Sequence, residues 1–436
     1  MRYQKIDPEL FCRNRNKLEK NLKPNSLAII YSNDEMPRNG DQTFPFRQSS
    51  DMFYLSGLDQ EKSILTLYPQ HPDEKMREIA FITETDDHMV TWYGHKYSLK
   101  QASEISGIKT IKWLSQFDGV LRDFMSRAEY VYLNVEENAR FVTEVDSRTL
   151  RTVKKLKEAY PLHIYQRLAP ILTELRLIKD PREIELLKKA CDITGDAFQR
   201  VLKFVRPGIM EYEVEAEITH EFLRQGASGH SYPAIVASGV NNNILHYNQN
   251  DQRLEDGQLL LLDFGAEYAN YAGDCSRTIP VNGKFTPRQK EVYNAVLRVF
   301  RQASKMLTPG TTIDNYHSQV IKFMEAELIN LGLITQKDID NQPADKPAFF
   351  KYYMHGTSHF IGLDVHDVGT KQTPLQKGMV LSCEPGIYIP EEGFGIRIEN
   401  DIVVGHEPID LMAHIPIEAD EIEALMANKE NLIIQS

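Results

Sequence analysis

The chain has 436 residues, 42% of them hydrophobic and 26% charged, with a net charge of −12. That balance excludes a disordered protein, and at about 150 residues per domain the length predicts two or three domains. Acidity without a long Lys/Arg block argues against nucleic acid or an anionic membrane as partner.

The opening "MRYQKIDPELF" lacks the apolar core of a signal peptide. No apolar run reaches the roughly 20 residues that span a bilayer. The expected location is the cytoplasm. Cys12, Cys191, Cys275 and Cys383 lie far apart without CxxC spacing. This predicts free thiols in a reducing compartment, with neither a zinc knuckle nor a disulfide framework.

Along the first 170 or so residues, strand-like runs ("SLAIIYS", "SILTLYP", "EIAFIT", "YVYLNV") alternate with helical stretches such as "FCRNRNKLEKNL". An α/β domain is expected there. Asp180 then reads as a helix N-cap with Pro181 at the first helical position. The domain boundary is placed just before it, giving domains 1–175 and 176–436. Beyond it come amphipathic helices ("MEYEVEAEITHEFLRQG", "PRQKEVYNAVLRVFRQASKML", "TIDNYHSQVIKFMEAELINLG") between strand pairs, which predicts an α+β fold.

Within those strands the sequence places acids where a core wants aliphatics. "LLLLDFGAEYANYAGDCSRT" reads as a hairpin, and a turn centred between Tyr268 and Ala269 sets Asp263 opposite Asp274, roughly 5 Å apart at Cβ. A carboxylate in such a place must be paired, protonated or bound to a cation. For either aspartate alone, capping or an ion pair is as good an account as metal binding. Glu384 ends an apolar strand, and Glu399 sits inside another whose period-two alternation puts Arg397, Glu399 and Asp401 on one face. Surface exposure of that face is the competing account. Cys275 follows Asp274 and Cys383 precedes Glu384, so each thiol is expected to pack behind the site.

The remaining ingredient is "HGTSHFIGLDVHD", with His355, His359 and His366. The i, i+4 pair is not the zinc-protease HExxH motif, because glycine stands where the glutamate is needed. Any one of these histidines is more often a core or surface residue than a ligand, but three within twelve positions point to a site. Four carboxylates and an imidazole are balanced by two divalent cations. Oxygen-rich ligation with one nitrogen suits Mn2+, Co2+ or Fe2+, and also admits Zn2+. Two such ions about 3.5 Å apart activate water and polarise a carbonyl, the logic of a metal hydrolase.

In order, Asp263, Asp274, His359, Glu384 and Glu399 resemble the five-ligand pattern of the pita-bread metallopeptidases, which include methionine aminopeptidase, aminopeptidase P and prolidase. "HGTSHFIGLDVHDVG" and "GIRIENDIVV" most resemble aminopeptidase P, and "FPFRQSSDMFYLSGLDQ" extends the similarity into the N-terminal half. The resemblance implies a C-terminal pita-bread domain preceded by an α/β creatinase/aminopeptidase P-like domain. It implies that Asp263 binds one metal, that His359 and Glu384 bind the other, and that Asp274 and Glu399 bridge them. Glu384 doubles as acid/base. His246, in "NNNILHYNQN", lies near the leaving nitrogen, while His355 and His366 contact substrate. Arg397 orients carboxylates, with a structural ion pair as its alternative; Tyr388 assists through its hydroxyl, with packing as its alternative.

The implied activity is removal of an N-terminal residue that precedes proline, with two Mn2+ ions per chain. Prolidase, which accepts only Xaa-Pro dipeptides, is the near alternative. Metal-free enzymes acting on creatine and non-enzymatic binding proteins share the fold but lose metal ligands, whereas all five positions are filled here. Methionine aminopeptidase normally lacks the N-terminal domain. A homodimer or homotetramer through that domain is expected. The fifteen residues from Glu384 to Glu399 are a shorter connection than in some relatives, and Trp92 resembles the family only loosely. His230 receives no role.

Overall fold

The computed structural model describes residues 2–138, 144–343 and 345–428. The chain divides into two compact units, Tyr3–Arg176 and the chain from Leu177 onward, with Arg2 grouped in the second.

In the first unit a six-stranded mixed sheet runs in the order Thr110–Trp113, Glu78–Ile82, Ile64–Leu67, Ser26–Tyr31, Tyr130–Leu133, Ile164–Arg167. Ser26–Tyr31 is buried along its whole length, as its unbroken apolar run demands of a central strand. Leu27, Ile29, Phe81, Phe124 and Val131 form one core with aromatic rings packed edge to face, including Phe81 on Phe117 at 5.1 Å.

The second unit holds the anomalous acids. Its first helix, Pro181–Phe204, starts as the sequence predicts. Asp180 caps it, Pro181 fills the first turn, and the Asp180 amide donates to Glu183 Oε2 at 2.9 Å. The helices Glu211–Arg224, Pro287–Ala303 and Ile313–Asn330 follow where amphipathic spacing puts them. They accompany small antiparallel sheets: Ile235–Ser238 with Leu259–Phe264 and Cys275–Pro280; Val380–Cys383 with Asn400–Val403 and Ile409–Asp410; and the pair Gly386–Ile389 with Phe394–Arg397.

Two strand expectations need correction. First, Asp263 lies opposite Ser276, not Asp274. The turn is centred one residue later than expected, because Ala269 and Asn270 both take left-handed φ (50° and 64°) and Tyr268 pairs with Tyr271. The same register sets Asp274 opposite Gly265, so the two acids share a face as diagonal neighbours. A Cβ on Gly265 would sit 1.7 Å from the Gly273 carbonyl oxygen, and only glycine permits that approach. Second, Phe394–Arg397 and Asn400–Val403 are separate strands. Glu399 lies between them and makes an isolated bridge to Ser276. Behind this junction Arg277 is fully buried, donating to the carbonyls of Ser276 (2.9 Å), Glu399 (2.8 Å) and Pro416 (2.9 Å).

Candidate active site

The segment carrying His355 and His359 lies against the chain that carries Glu384. Glu384 donates its amide to the Thr357 carbonyl at 2.9 Å, and Ser382 donates its own to the His359 carbonyl at 2.9 Å. The strand Val380–Cys383 stops one residue before Glu384, which is followed by Pro385, a residue with no amide hydrogen to continue the ladder. Arg397 stands opposite Gly386 and Tyr388 opposite Gly395 on paired strands, which makes Arg397 and Tyr388 diagonal neighbours on one face.

These elements bring the predicted acids together. The Asp274 carboxylate, His359 Nε2 and the Glu399 carboxylate offer ligand atoms within 4.8 Å of one another. His359 Nε2 lies 3.3 Å from Asp274 Oδ2 and 3.6 Å from Glu384 Oε1, while His359 Nδ1 meets the Phe360 carbonyl at 3.1 Å. Anchoring one ring nitrogen on a carbonyl while the other faces carboxylates is how proteins orient a metal-binding imidazole. Arg397 donates through Nη2 to Asp263 Oδ2 at 2.6 Å and through Nε to Ser276 Oγ at 2.8 Å, and Ser276 Oγ donates to Glu399 Oε2 at 2.6 Å. Arg397 thus ties Asp263 to Glu399 through Ser276.

The electrostatics record a shortage of positive charge. Burial, then repulsion from Asp274, pushes Glu384 up to about 7 against the pull of His359. Burial raises Asp263 despite Arg397, and raises Glu399 well above the usual carboxylate range, with Asp274 and Glu384 adding to it. Burial opposes charge on His359, yet the bond to Asp274 and the charge of Glu384 lift it to about 9. The Tyr232 hydroxyl lies 2.5 Å from Asp263 Oδ1 and 2.6 Å from Asp274 Oδ1. Its single proton cannot serve both oxygens. An oxygen-rich set with one oriented imidazole and excess negative charge fits hard divalent cations.

His355 sits on the other side of Glu384, with Nδ1 3.8 Å from Glu384 Oε2. Arg397 Nη1 donates to the Tyr388 hydroxyl at 2.9 Å, and that hydroxyl lies 2.9 Å from His355 Nε2. His355 Nδ1 meets the Gly356 carbonyl at 2.8 Å. Burial first, then the Arg397 charge, lowers His355 to about 3, so it is neutral. The charges of His317 and His246 lower it further. His366 is exposed, and its ring stands edge-on to His359 at 4.5 Å.

Reading the sequence alone does not find Tyr232 or Ser276 as site residues, because their roles depend on which residues the folded strands set opposite one another. Asp401 is placed on the right face but given no role; it is fully buried, and its Oδ2 accepts from the Asp274 amide at 3.1 Å and from the Cys191 thiol at 3.3 Å. His230 lies elsewhere, bonded to Thr219 Oγ1 at 2.8 Å.

Residues 185–406 match metallopeptidase family M24, and residues 11–132 match the aminopeptidase P N-terminal domain. The chain belongs to the M24 metallopeptidases, with an aminopeptidase P N-terminal domain ahead of the pita-bread domain, and is a metalloexopeptidase of the hydrolase class. Among curated relatives, the Xaa-Pro aminopeptidase of Escherichia coli K12 is 37% identical, over 97% of this chain and 98% of that protein. Xaa-Pro aminopeptidase 3 of Homo sapiens is 33% identical, over 91% and 80%. Among solved structures, the low-pH form of Escherichia coli aminopeptidase P superposes with a TM-score of 0.88 at 34% identity, over 98% of this chain and all of that one. The same enzyme with the inhibitor Pro-Leu gives 0.87 at 33% identity, over 98% and 99%. No helix among the described residues is long and apolar enough to cross a membrane.

Proposed function

We propose that the protein is an Xaa-Pro aminopeptidase, hydrolysing the bond between the first residue of a peptide and a following proline. The observation that carries this reading is the convergence of Asp274, His359 and Glu399, with Asp263 and Glu384 beside them, in a chain similar over nearly its whole length to an Xaa-Pro aminopeptidase.

Asp263, Asp274, His359, Glu384 and Glu399 are the residues that would hold two divalent ions, Mn2+ by preference, with Asp274 and Glu399 shared. Such ions supply Lewis acidity and an activated water. Glu384 is the acid–base group, a carboxylate set between His355 and His359. Neutral His355, held by Tyr388 and Gly356, contributes hydrogen bonding rather than charge. His246 and His366 complete the substrate contacts. Arg397 orients Asp263 and keeps the Tyr388 hydroxyl aimed at His355.

We assign catalysis to residues 176–436 and the preceding 1–175 to a separate N-terminal domain. We place the protein in the cytoplasm as a homodimer or homotetramer. Four free cysteines, three of them buried, support a reducing compartment.

The test is digestion of an Xaa-Pro dipeptide and an Xaa-Pro-Yaa tripeptide with Mn2+ supplied. Release of the first residue from the tripeptide is expected. Cleavage of the dipeptide alone would make the protein a prolidase, and fewer than one bound metal per chain with no activity would make it a binding protein.

A further inference from the structure

Glu211 opens the helix Glu211–Arg224 and is fully buried, away from the carboxylates described above. A buried carboxylate needs several donors to stay charged. Four converge on it. The Ser238 amide and hydroxyl each donate to Oε1 at 2.7 Å, the Tyr247 hydroxyl donates to Oε2 at 2.8 Å, and the Gln252 amide donates to Oε2 at 2.9 Å. The positive end of the helix adds to their effect.

The sources of these donors matter more than their number. Ser238 ends the strand Ile235–Ser238, Gln252 lies where the chain returns, and Tyr247 sits midway. Between Ser238 and Gln252 run residues 239–251, the loop that carries His246. One carboxylate therefore grips the start, middle and end of that loop. The grip is reinforced at its far end, where the Glu211 amide donates to the Gln252 carbonyl at 2.9 Å. Asn250, at φ 51°, adds a second hold by accepting from the Val236 amide at 3.0 Å and donating to Glu215 Oε2 at 2.8 Å.

Tyr247 also packs in one apolar cluster with Leu261 and Tyr388, so its ring joins the loop to the strands of the site. It is buried, whereas His246, one residue earlier, is exposed. We propose that Glu211 is a positioning residue for the reaction: by holding Tyr247 and both ends of the loop, it fixes where His246 stands relative to the substrate. This rests on the reading of His246 as a substrate contact.

The test is a double-mutant cycle on the full-length, Mn2+-loaded enzyme with an Xaa-Pro-Yaa tripeptide, reading kcat, KM, metal content and Tm. Tyr247→Phe removes the middle bond and keeps the ring. It is expected to lower kcat by about tenfold, since small misplacements of reacting groups cost up to about a hundredfold, with KM within about twofold and metal content unchanged. In a His246→Ala background the same change should cost less than about twofold. Glu211→Gln, whose amide nitrogen would face donors, should lose more; Tyr247→Phe keeps the question answerable if that variant fails to fold. No kcat loss in Tyr247→Phe, or the full loss repeated in the His246→Ala background, overturns the proposal alone. Wild-type kcat in His246→Ala overturns the reading of His246 and the proposal with it.

Discussion

Asp274 meets the Tyr232 hydroxyl with one carboxylate oxygen, at 2.6 Å, and the His359 imidazole with the other, at 3.3 Å. Asp263 is also held from two sides, by Tyr232 and Arg397, but Asp274 alone of the two lies within ligand reach of both His359 and Glu399 among the described residues. Asp274→Asn is therefore expected to lower kcat at least about tenfold further than replacement of any single histidine, about 1.4 kcal/mol more in barrier. Elemental analysis beside the kinetics checks it, since retention of full metal content and activity would contradict the assigned site. The acids were legible because a carboxylate inside an aliphatic strand is anomalous whatever the fold, and the sequence shows that directly. Tyr232 was not. A tyrosine ahead of an apolar strand is ordinary, and its place between two aspartates exists only once Ile235 pairs with Asp263.

At the scale of elements, the hairpin that carries the two aspartates turns on Ala269 and Asn270, both left-handed. Asparagine tolerates this conformation, but alanine is strained by about 1–2 kcal/mol, against the 0.5–1 kcal/mol that glycine's greater freedom costs. Ala269→Gly should then stabilise the protein by about 0.5–1 kcal/mol and raise Tm by about 2 °C. Calorimetry decides, and a lower Tm would mean that the turn is not left-handed at this position. The same residues explain the register error. "YANYA" contains no glycine, so only Asn270 hints at the left-handed pair, and a shift of one residue moved the expected partner of Asp263 from Ser276 to Asp274. Helices were easier to place. Asp180, Pro181 and Glu183 announce a helix start locally, without reference to any distant strand.

For the whole molecule, the shifts at four of the proposed metal ligands share one sign. Glu384, Asp263 and Glu399 are raised above ordinary carboxylate values, and His359 is raised to about 9. A group whose folded value is raised stabilises the fold below its unfolded value and loses that contribution as pH rises through the folded one. For Glu384 the window runs from its ordinary value of 4.5 to about 7, and for His359 from 6.5 to about 9. His355, lowered to about 3, works the other way below 6.5, so metal-free protein should lose stability chiefly above that pH. Bound cations favour the deprotonated ligands, so the Tm of Mn2+-loaded protein should rise relative to that of the metal-free form as pH increases from 4.5 to 9. Thermal scans with and without chelator test this, and a gap that narrows with pH would remove the carboxylate cluster as the metal site.

Arg277 binds the carbonyls of Glu399 and Pro416, so the acidic cluster is braced by chain that is synthesised well after its first two acids. A ribosome adds about 5–20 residues per second, and Asp263 and Asp274 emerge well before Glu384, Glu399 and the Pro416 brace. Throughout that interval the nascent chain holds half of a cutting site. Until Glu384, Glu399 and the Pro416 brace have been added, the chain lacks the full set of acids that the proposed reaction needs.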